Sequence, residues 1–137
     1  MAISIRPGTL HEAPDVLALW RVAEAQPSRT DTVAFLEALM DFDPDALLVA
    51  EEHGVILGSV IAAWDGWRGA IYRLVVHPRH RRRGLARRLL AAAEEHLASR
   101  RATRLAAIVV DDDPPAVGFW RASGWEEQTH RVRFVKG

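Results

Sequence analysis

Apolar and polar residues alternate or recur at helical spacing in the first part of the chain. Residues 3–6 alternate between the two classes, which predicts a short strand. In residues 9–25 and 33–40 apolar side chains return every three or four positions, which predicts two helices. Thr30 or Asp31 can supply the oxygen that caps the second helix. We therefore expect a strand followed by two helices.

The pattern then becomes typical of strands. Residues 47–51 and 55–64 are two β-rich runs separated by a turn at Gly54, and residues 70–76 form a third run after a second short turn. Strands that are joined by such short connections most simply pair antiparallel. The middle of the chain is thus predicted as three antiparallel strands.

Helices and strands alternate in the rest of the chain. A helix with one apolar stripe begins near Gly84, and the continuous apolar run at residues 105–110 predicts a strand buried on both faces and parallel to the one before the helix. Asp113 can cap a last helix that ends at Gly124, and residues 125–135 predict one or two closing strands. The expected fold class is an α/β sandwich with a mixed sheet.

Composition excludes several classes of protein. The 137 residues, of which 49% are hydrophobic and 26% charged, suit a single domain over residues 1–137. Without cysteine there is no disulfide, thiolate nucleophile or cysteine-ligated metal, and the six histidines lack metal-ligand spacing, so no metal is expected. The N-terminus lacks a signal-peptide pattern and no run is long and apolar enough for a membrane span, which predicts a cytoplasmic protein without a membrane partner.

Six arginines lie between Arg79 and Arg88, although the net charge of the chain is zero. Four of them precede a helix that begins near Gly84, and Arg87 and Arg88 lie within that helix. The unpaired N–H groups of a helix start favour phosphate. Gly84 and the small Ala86 allow phosphates to approach the backbone closely. Zero net charge and the lack of interleaved aromatic residues argue against nucleic acid as the partner.

The form Arg81-x-x-Gly84-x-Ala86 after Val-His-Pro resembles the pyrophosphate-binding signature of GNAT acetyltransferases. About 30 residues downstream, residues 113–125 resemble the second motif of that family. The resemblance implies a mixed, mostly antiparallel central sheet that is flanked by helices on both faces. It also implies acetyl-CoA as the cosubstrate and an N-acetyltransferase activity.

The resemblance assigns residues of this chain to the cosubstrate. Backbone groups of one strand would hydrogen-bond the pantetheine arm like an added strand. The loop and helix start would hold the pyrophosphate, and Asp113 stands where the family has asparagine. The implied binding residues are Leu74, Val75, Val76, Arg81, Arg82, Arg83, Gly84, Leu85, Ala86, Arg87, Asp113 and Trp120.

Two positions depart from the catalytic pattern of the family. Trp120 aligns with the tyrosine that many members use as general acid, and an indole cannot give up a proton at neutral pH. Tyr72, the only tyrosine, lies near the place of a strand carboxylate that often assists deprotonation of the amine. We expect Tyr72 either to orient a water or the thioester or simply to pack. Asp65 and Glu51, the nearest other carboxylates in sequence, are expected to be caps or solvated groups.

These features predict direct transfer of acetyl from acetyl-CoA to an amine in a ternary complex. A backbone N–H near residues 74–76 would stabilise the developing oxyanion, and no acyl-enzyme is expected because the chain has no evident carrier nucleophile. The amine partner can be a small molecule or a peptide, and the chain a monomer or homodimer. The alternative is a catalytically silent acyl-CoA-binding regulatory protein.

Overall fold

The computed structural model describes residues 2–110 and 113–137, which form two compact units divided between Ala107 and Ile108. Two short 3-10 turns occur at Leu10–Glu12 and Pro78–His80. The strands are β1 (Ser4–Pro7), β2 (Leu47–Glu52), β3 (Val55–Trp64), β4 (Gly69–Val76) and β5 (Leu105–Ala107), and the helices are α1 (Ala13–Val22), α2 (Val33–Phe42), α3 (Leu85–Ser99) and α4 (Pro114–Ala122).

The described strands form one sheet in the order β1-β2-β3-β4-β5. The first four strands pair antiparallel, with Leu47 opposite Ile61 between β2 and β3. β5 returns through α3 and pairs parallel with β4, where Leu105 lies opposite Gly69. The sheet is therefore mixed and mostly antiparallel, as predicted.

Two neighbouring residues of β3 show that helices cover both faces of the sheet. A Cβ atom at Gly58 would lie 2.8 Å from Leu89 Cδ1 of α3, so glycine is needed for this close approach. The indole of Trp20 in α1 donates to the Ser59 hydroxyl at 2.8 Å. Because successive strand residues point to opposite faces, α3 and α1 pack on opposite sides. The predicted helical flanking of both faces is confirmed.

Each face has its own apolar packing. The side of α1 and α2 includes Trp20, Leu36 and Met40, all nearly inaccessible to water. On the other side, the stripe predicted for α3 is buried except for Ala86, which is half-buried; its buried members are Leu85, Leu89, Leu90, Ala93 and Leu97. Burial of such side chains stabilises by about 1.5–3 kcal/mol each, which holds the sheet between its helices.

The cap predicted for the second helix was wrong by one or two residues. Thr32 is the N-cap of α2, because its backbone is extended and its hydroxyl accepts from Phe35 N–H at 3.2 Å. Asp31 instead accepts from Ser28 N–H at 3.0 Å and pairs with Arg73. The Asp31 carboxylate thus links the connection between α1 and α2 to strand β4.

The first helix is shorter than residues 9–25. It begins as the 3-10 turn, where Thr9 N–H donates to the Glu12 carboxylate at 3.0 Å, and continues as α1 only to Val22. Glu24 then has a φ of 58°, a left-handed conformation that a helix cannot contain. The remaining residues of the predicted helix belong to the connection between α1 and α2.

Two predictions for the last part of the chain were wrong. β5 ends at Ala107 rather than at residue 110, and Ile108 is 64% exposed, so this run is not buried on both faces. No strand occurs at residues 125–135 among the described residues, and Phe134 there is 92% exposed. An apolar or alternating run acquires strand structure and burial only where a neighbouring element supplies hydrogen bonds and cover.

Candidate functional site

β4 carries a β-bulge where residues 74–76, which were predicted to meet the thioester, begin. Ser59 lies opposite Val75 and Ile61 opposite Tyr72, so Arg73 and Leu74 together face one residue of β3. Arg73 has a φ of 52°, a left-handed conformation that costs a residue with a side chain about 1–2 kcal/mol. The surrounding contacts must stabilise this backbone.

Beyond the bulge, one edge of β4 is open in the described sheet. β5 pairs with β4 only over Gly69–Ile71, so the edge at Leu74, Val75 and Val76 has no strand beside it. Val75 packs on the core of α1 and α2, and Val76 is buried. The side chains therefore support the fold, while an extended ligand can reach the backbone of this edge.

A tight turn leads from β4 to α3. His77 N–H donates to Leu57 O at 2.8 Å, and His77 Nδ1 accepts from Arg79 N–H at 3.1 Å. His80 N–H donates back to His77 O at 2.8 Å. These bonds give His77 a structural role as a turn cap and fix where the following basic residues begin.

The start of α3 exposes backbone N–H groups to an open space. The first helical bond runs from Arg88 N–H to Gly84 O at 3.1 Å, so the N–H groups of Leu85, Ala86 and Arg87 precede it. Gly84 is the N-cap with a φ of 74°, and a Cβ atom there would meet nothing within 4 Å. The arrangement of donors and free space suits an anion such as a pyrophosphate.

The predicted phosphate-binding arginines surround this helix start. Arg81, Arg82, Arg83 and Arg87 are exposed, and among the described residues none of them forms an ion pair. Arg88 differs, because its guanidinium donates to Ile3 O at 2.9 Å and so ties α3 to the start of β1. Arg83 Nη1 lies 3.0 Å from His80 Nδ1, whereas Arg81, Arg82 and Arg87 have no such side-chain partner among the described residues. These exposed guanidinium groups can meet an anionic ligand.

Asp65 and Glu51 cap the turns at the two ends of β3, which is one of the two roles expected for them. Asp65 accepts from the N–H groups of Trp67 at 2.8 Å and Arg68 at 2.6 Å, and these bonds hold the pKa of its carboxyl below the usual range. Glu51 accepts from Gly54 N–H at 3.1 Å in the β2–β3 turn. Each carboxylate thus has a contact in a turn that accounts for its presence.

Tyr72 lies on β4 directly before the bulge and is 53% exposed. It pairs across the sheet with Ile61, which belongs to the core on the side of α1 and α2. Directly opposite residues of two strands share a face, so the phenol extends from that side of the sheet. Tyr72 is therefore accessible beside Leu74, as a site residue must be.

Asp113 and Trp120 belong to the second unit. Asp113 is the N-cap of α4, since its Oδ1 accepts from Ala116 N–H at 3.2 Å. The Trp120 ring packs edge-on against Trp125, with centroids 4.8 Å apart, and against Phe119 at 5.9 Å. Within its unit, each residue thus has a structural contact that accounts for its presence.

A partly buried network around the bulge was not predicted from the sequence. Nothing in the sequence indicated that Trp20 and Arg73 would meet. In the structure the Arg73 guanidinium pairs with Asp31 at 2.7 Å and lies 5.0 Å from the Trp20 ring centroid. The one available signal was a charged residue within the apolar run of β4, which breaks its alternation.

The described residues hold no cluster of three or more histidine, aspartate or glutamate side chains that could bind a metal ion. Among the same residues, no helix is long and apolar enough to cross a bilayer.

The sequence profile of the acetyltransferase (GNAT) family matches residues 14–125. The chain belongs to this family. It is 40% identical over 75 residues to an acetyltransferase of Sodalis glossinidius, an alignment that covers 55% of this chain and 53% of that protein. The chain therefore spans about half the length of the curated relatives it matches.

Solved structures share the fold at low sequence identity. One is the aminoglycoside acetyltransferase AAC(6')-Iy, solved with a bisubstrate CoA analogue, which matches with a TM-score of 0.79 and 21% identity. The match covers 100% of this chain and 99% of that protein. Another is the PaiA N-acetyltransferase of Thermoplasma acidophilum, solved with coenzyme A, which matches with a TM-score of 0.77 and 13% identity. This match covers 89% of this chain and 88% of that protein. Both the predicted family and the predicted fold class are confirmed.

Proposed function

We propose that the protein transfers an acetyl group from acetyl-CoA to an amine. The observation that carries this proposal is the continuity between the open edge of β4 and the start of α3. An extended thioester-bearing chain can pair with the strand edge while its pyrophosphate meets the donors at Gly84 and beyond. Family membership and the CoA-bound structures of the same fold support acetyl-CoA as the cosubstrate.

In this proposal the chain holds acetyl-CoA at two places. The backbone of Leu74, Val75 and Val76 receives the pantetheine arm. The phosphates lie at the start of α3, and the residues assigned there are Arg81, Arg82, Arg83, Gly84, Leu85, Ala86 and Arg87. Asp113 and Trp120 are assigned to the cosubstrate only through the family motif.

Transfer proceeds by direct attack. The neutral amine nitrogen bonds to the thioester carbonyl carbon, and a backbone N–H at the bulge stabilises the developing oxyanion. The C–S bond then breaks to release the CoA thiolate, and the proton that the nitrogen loses passes to water, from which the thiolate is protonated. A thiol of pKa near 8.5 is a tolerable leaving group, so Trp120 need not donate a proton. Tyr72 is proposed to orient a water or the thioester, since a phenol of ordinary pKa near 10 is a poor base at neutral pH.

The acceptor is an amine on a small molecule or a peptide. A family member of the same fold has been solved with an analogue that joins CoA to an acetylated neamine, which supports a small-molecule acceptor. We further propose that the enzyme acts in the cytoplasm as one domain, as a monomer or homodimer.

Binding and kinetics test this function separately. Acetyl-CoA and desulfo-CoA should both raise the melting temperature, since a ligand of the native state stabilises it. With an active amine, initial velocities should intersect rather than run parallel when both substrates are varied. If duplex DNA bound with a steep salt dependence while CoA species caused no shift and no calorimetric heat, a nucleic-acid-binding function would replace this one.

A further inference from the structure

A chain of buried hydrogen bonds ends on the carbonyl of the β4 bulge. Trp20 Nε1 donates to Ser59 Oγ at 2.8 Å, and Ser59 Oγ donates to Arg73 O at 2.9 Å. Ser59 is completely inaccessible to water and Trp20 is 3% exposed, so both groups depend on these partners. The sheet therefore contains a polar connection from α1 to the peptide at the β4 bulge.

The direction of that carbonyl sets the direction of the next N–H. The peptide between Arg73 and Leu74 is trans, as are all the described peptides, so its C=O and N–H point in opposite directions. Ser59 on β3 holds the Arg73 oxygen, which aims Leu74 N–H away from β3 and toward the edge of β4 that β5 leaves open. This N–H is a donor in the place that the proposed reaction requires.

The side chain of Arg73 holds the same bulge from outside. Its Nη2 lies 2.9 and 2.7 Å from the two carboxylate oxygens of Asp31 and 2.9 Å from Gln26 O. Both acceptors belong to the connection between α1 and α2. Since Arg73 has a left-handed backbone, these bonds help to keep a strained conformation in place.

We infer that Ser59, with Trp20 and the Arg73–Asp31 pair, positions Leu74 N–H for a hydrogen bond to the thioester carbonyl oxygen. Ser59 is thus a positioning residue: it acts through the Arg73 peptide and does not touch substrate. The inference rests on the proposed function, because it concerns how the acetyl group is held. It adds that catalytic orientation depends on a hydroxyl buried behind the sheet.

Ser59→Ala tests the inference with a readout that does not require a known amine. Acetyl-CoA labelled with ¹³C at the thioester carbonyl should show a carbonyl stretch at higher wavenumber in the variant than in the wild type, because the hydrogen bond is weakened. Acetyl-CoA affinity should fall about fivefold, the effect of one ordinary hydrogen bond, while CoA affinity stays within about twofold. With an active amine, kcat should fall by at least about tenfold.

Two further variants make the result specific. Ser99→Ala also removes a hydroxyl that donates to a carbonyl, that of His96 in α3, and should change none of these quantities. Asp31→Asn leaves the core intact and should also raise the wavenumber of the carbonyl stretch, but by a smaller amount than Ser59→Ala. If Ser59→Ala does not fold, the shift in Asp31→Asn tests the inference instead.

The outcomes separate this inference from the function on which it rests. A folded Ser59→Ala protein of lower melting temperature, with an unchanged carbonyl stretch and unchanged affinity ratio, would show that the network is only structural and overturn the inference alone. A wild type that binds neither acetyl-CoA nor CoA would overturn the proposed function, and the inference with it.

Discussion

A single added charge at the start of α3 should reveal where the pyrophosphate binds. Gly84 has a left-handed backbone with open space at its Cβ position, and asparagine and aspartate tolerate that conformation better than other residues. Gly84→Asn and Gly84→Asp introduce side chains of the same size that differ in charge. The difference between their CoA affinities therefore reports the electrostatic effect and cancels most of the steric and backbone cost.

Coulomb's law gives the size of that difference. A carboxylate about 5 Å from a pyrophosphate with about two negative charges is repelled by about 2–3 kcal/mol at an effective dielectric constant of about 40–80. Gly84→Asp should thus bind CoA roughly 30- to 150-fold more weakly than Gly84→Asn. The repulsion is screened by salt, so the ratio should shrink as ionic strength rises.

Isothermal titration calorimetry of CoA on both variants measures this ratio, and circular dichroism checks that each is folded. Gly66 provides a matched control, since it also has a positive φ, 91°, and an open Cβ position but lies in the turn before β4. Gly66→Asp and Gly66→Asn should bind CoA equally. Equal affinities of the two folded Gly84 variants would refute the placement of the pyrophosphate at this helix start.

Substitutions at three further positions test other parts of the account. Trp120→Phe should lower turnover by less than about tenfold, because no proton transfer is lost, and Trp120→Tyr should have unchanged or faster turnover. A larger loss in steady-state assays of Trp120→Phe would give the indole a direct role. Tyr72→Phe should lower turnover with CoA affinity intact, and full activity would remove Tyr72 from the site. The Arg6 guanidinium lowers the pKa of the Glu12 carboxyl to about 2. The Arg6–Glu12 ion pair therefore stabilises the folded protein fully above about pH 4.5, and this stabilisation is lost as the pH falls toward 2. Glu12→Gln should cost about 1–2 kcal/mol at pH 7 and much less at pH 2 in denaturant titrations.

The elements with internal sequence signals were predicted well. β3 occupies residues 55–64 as expected, and the start of α3 was located because Gly84 and the apolar stripe that follows are local features. The position of the arginines around that helix start follows from the same local pattern. These predictions needed no knowledge of what packs against the elements.

Features that depend on distant partners were missed. The apolar run after residue 105 predicted burial, yet only residues that pair with β4 became a strand, and residues 125–135 alternate without forming a strand in the described structure. The bulge at Arg73 arises from contacts with Trp20, Ser59 and Asp31, which are 14 to 53 residues away in sequence. Sequence spacing cannot show that these side chains meet.

The central claim is the transfer of acetyl from acetyl-CoA to an amine, and release of the CoA thiol in a panel of amines measures it most directly. The panel should include aminoglycosides, polyamines, amino acids and peptide N-termini, with mass spectrometry of the product. We expect thiol release above background with one amine class, together with an equal amount of acetylated amine. Tight CoA binding without thiol release from any amine would contradict the claim and favour a catalytically silent acyl-CoA-binding regulator.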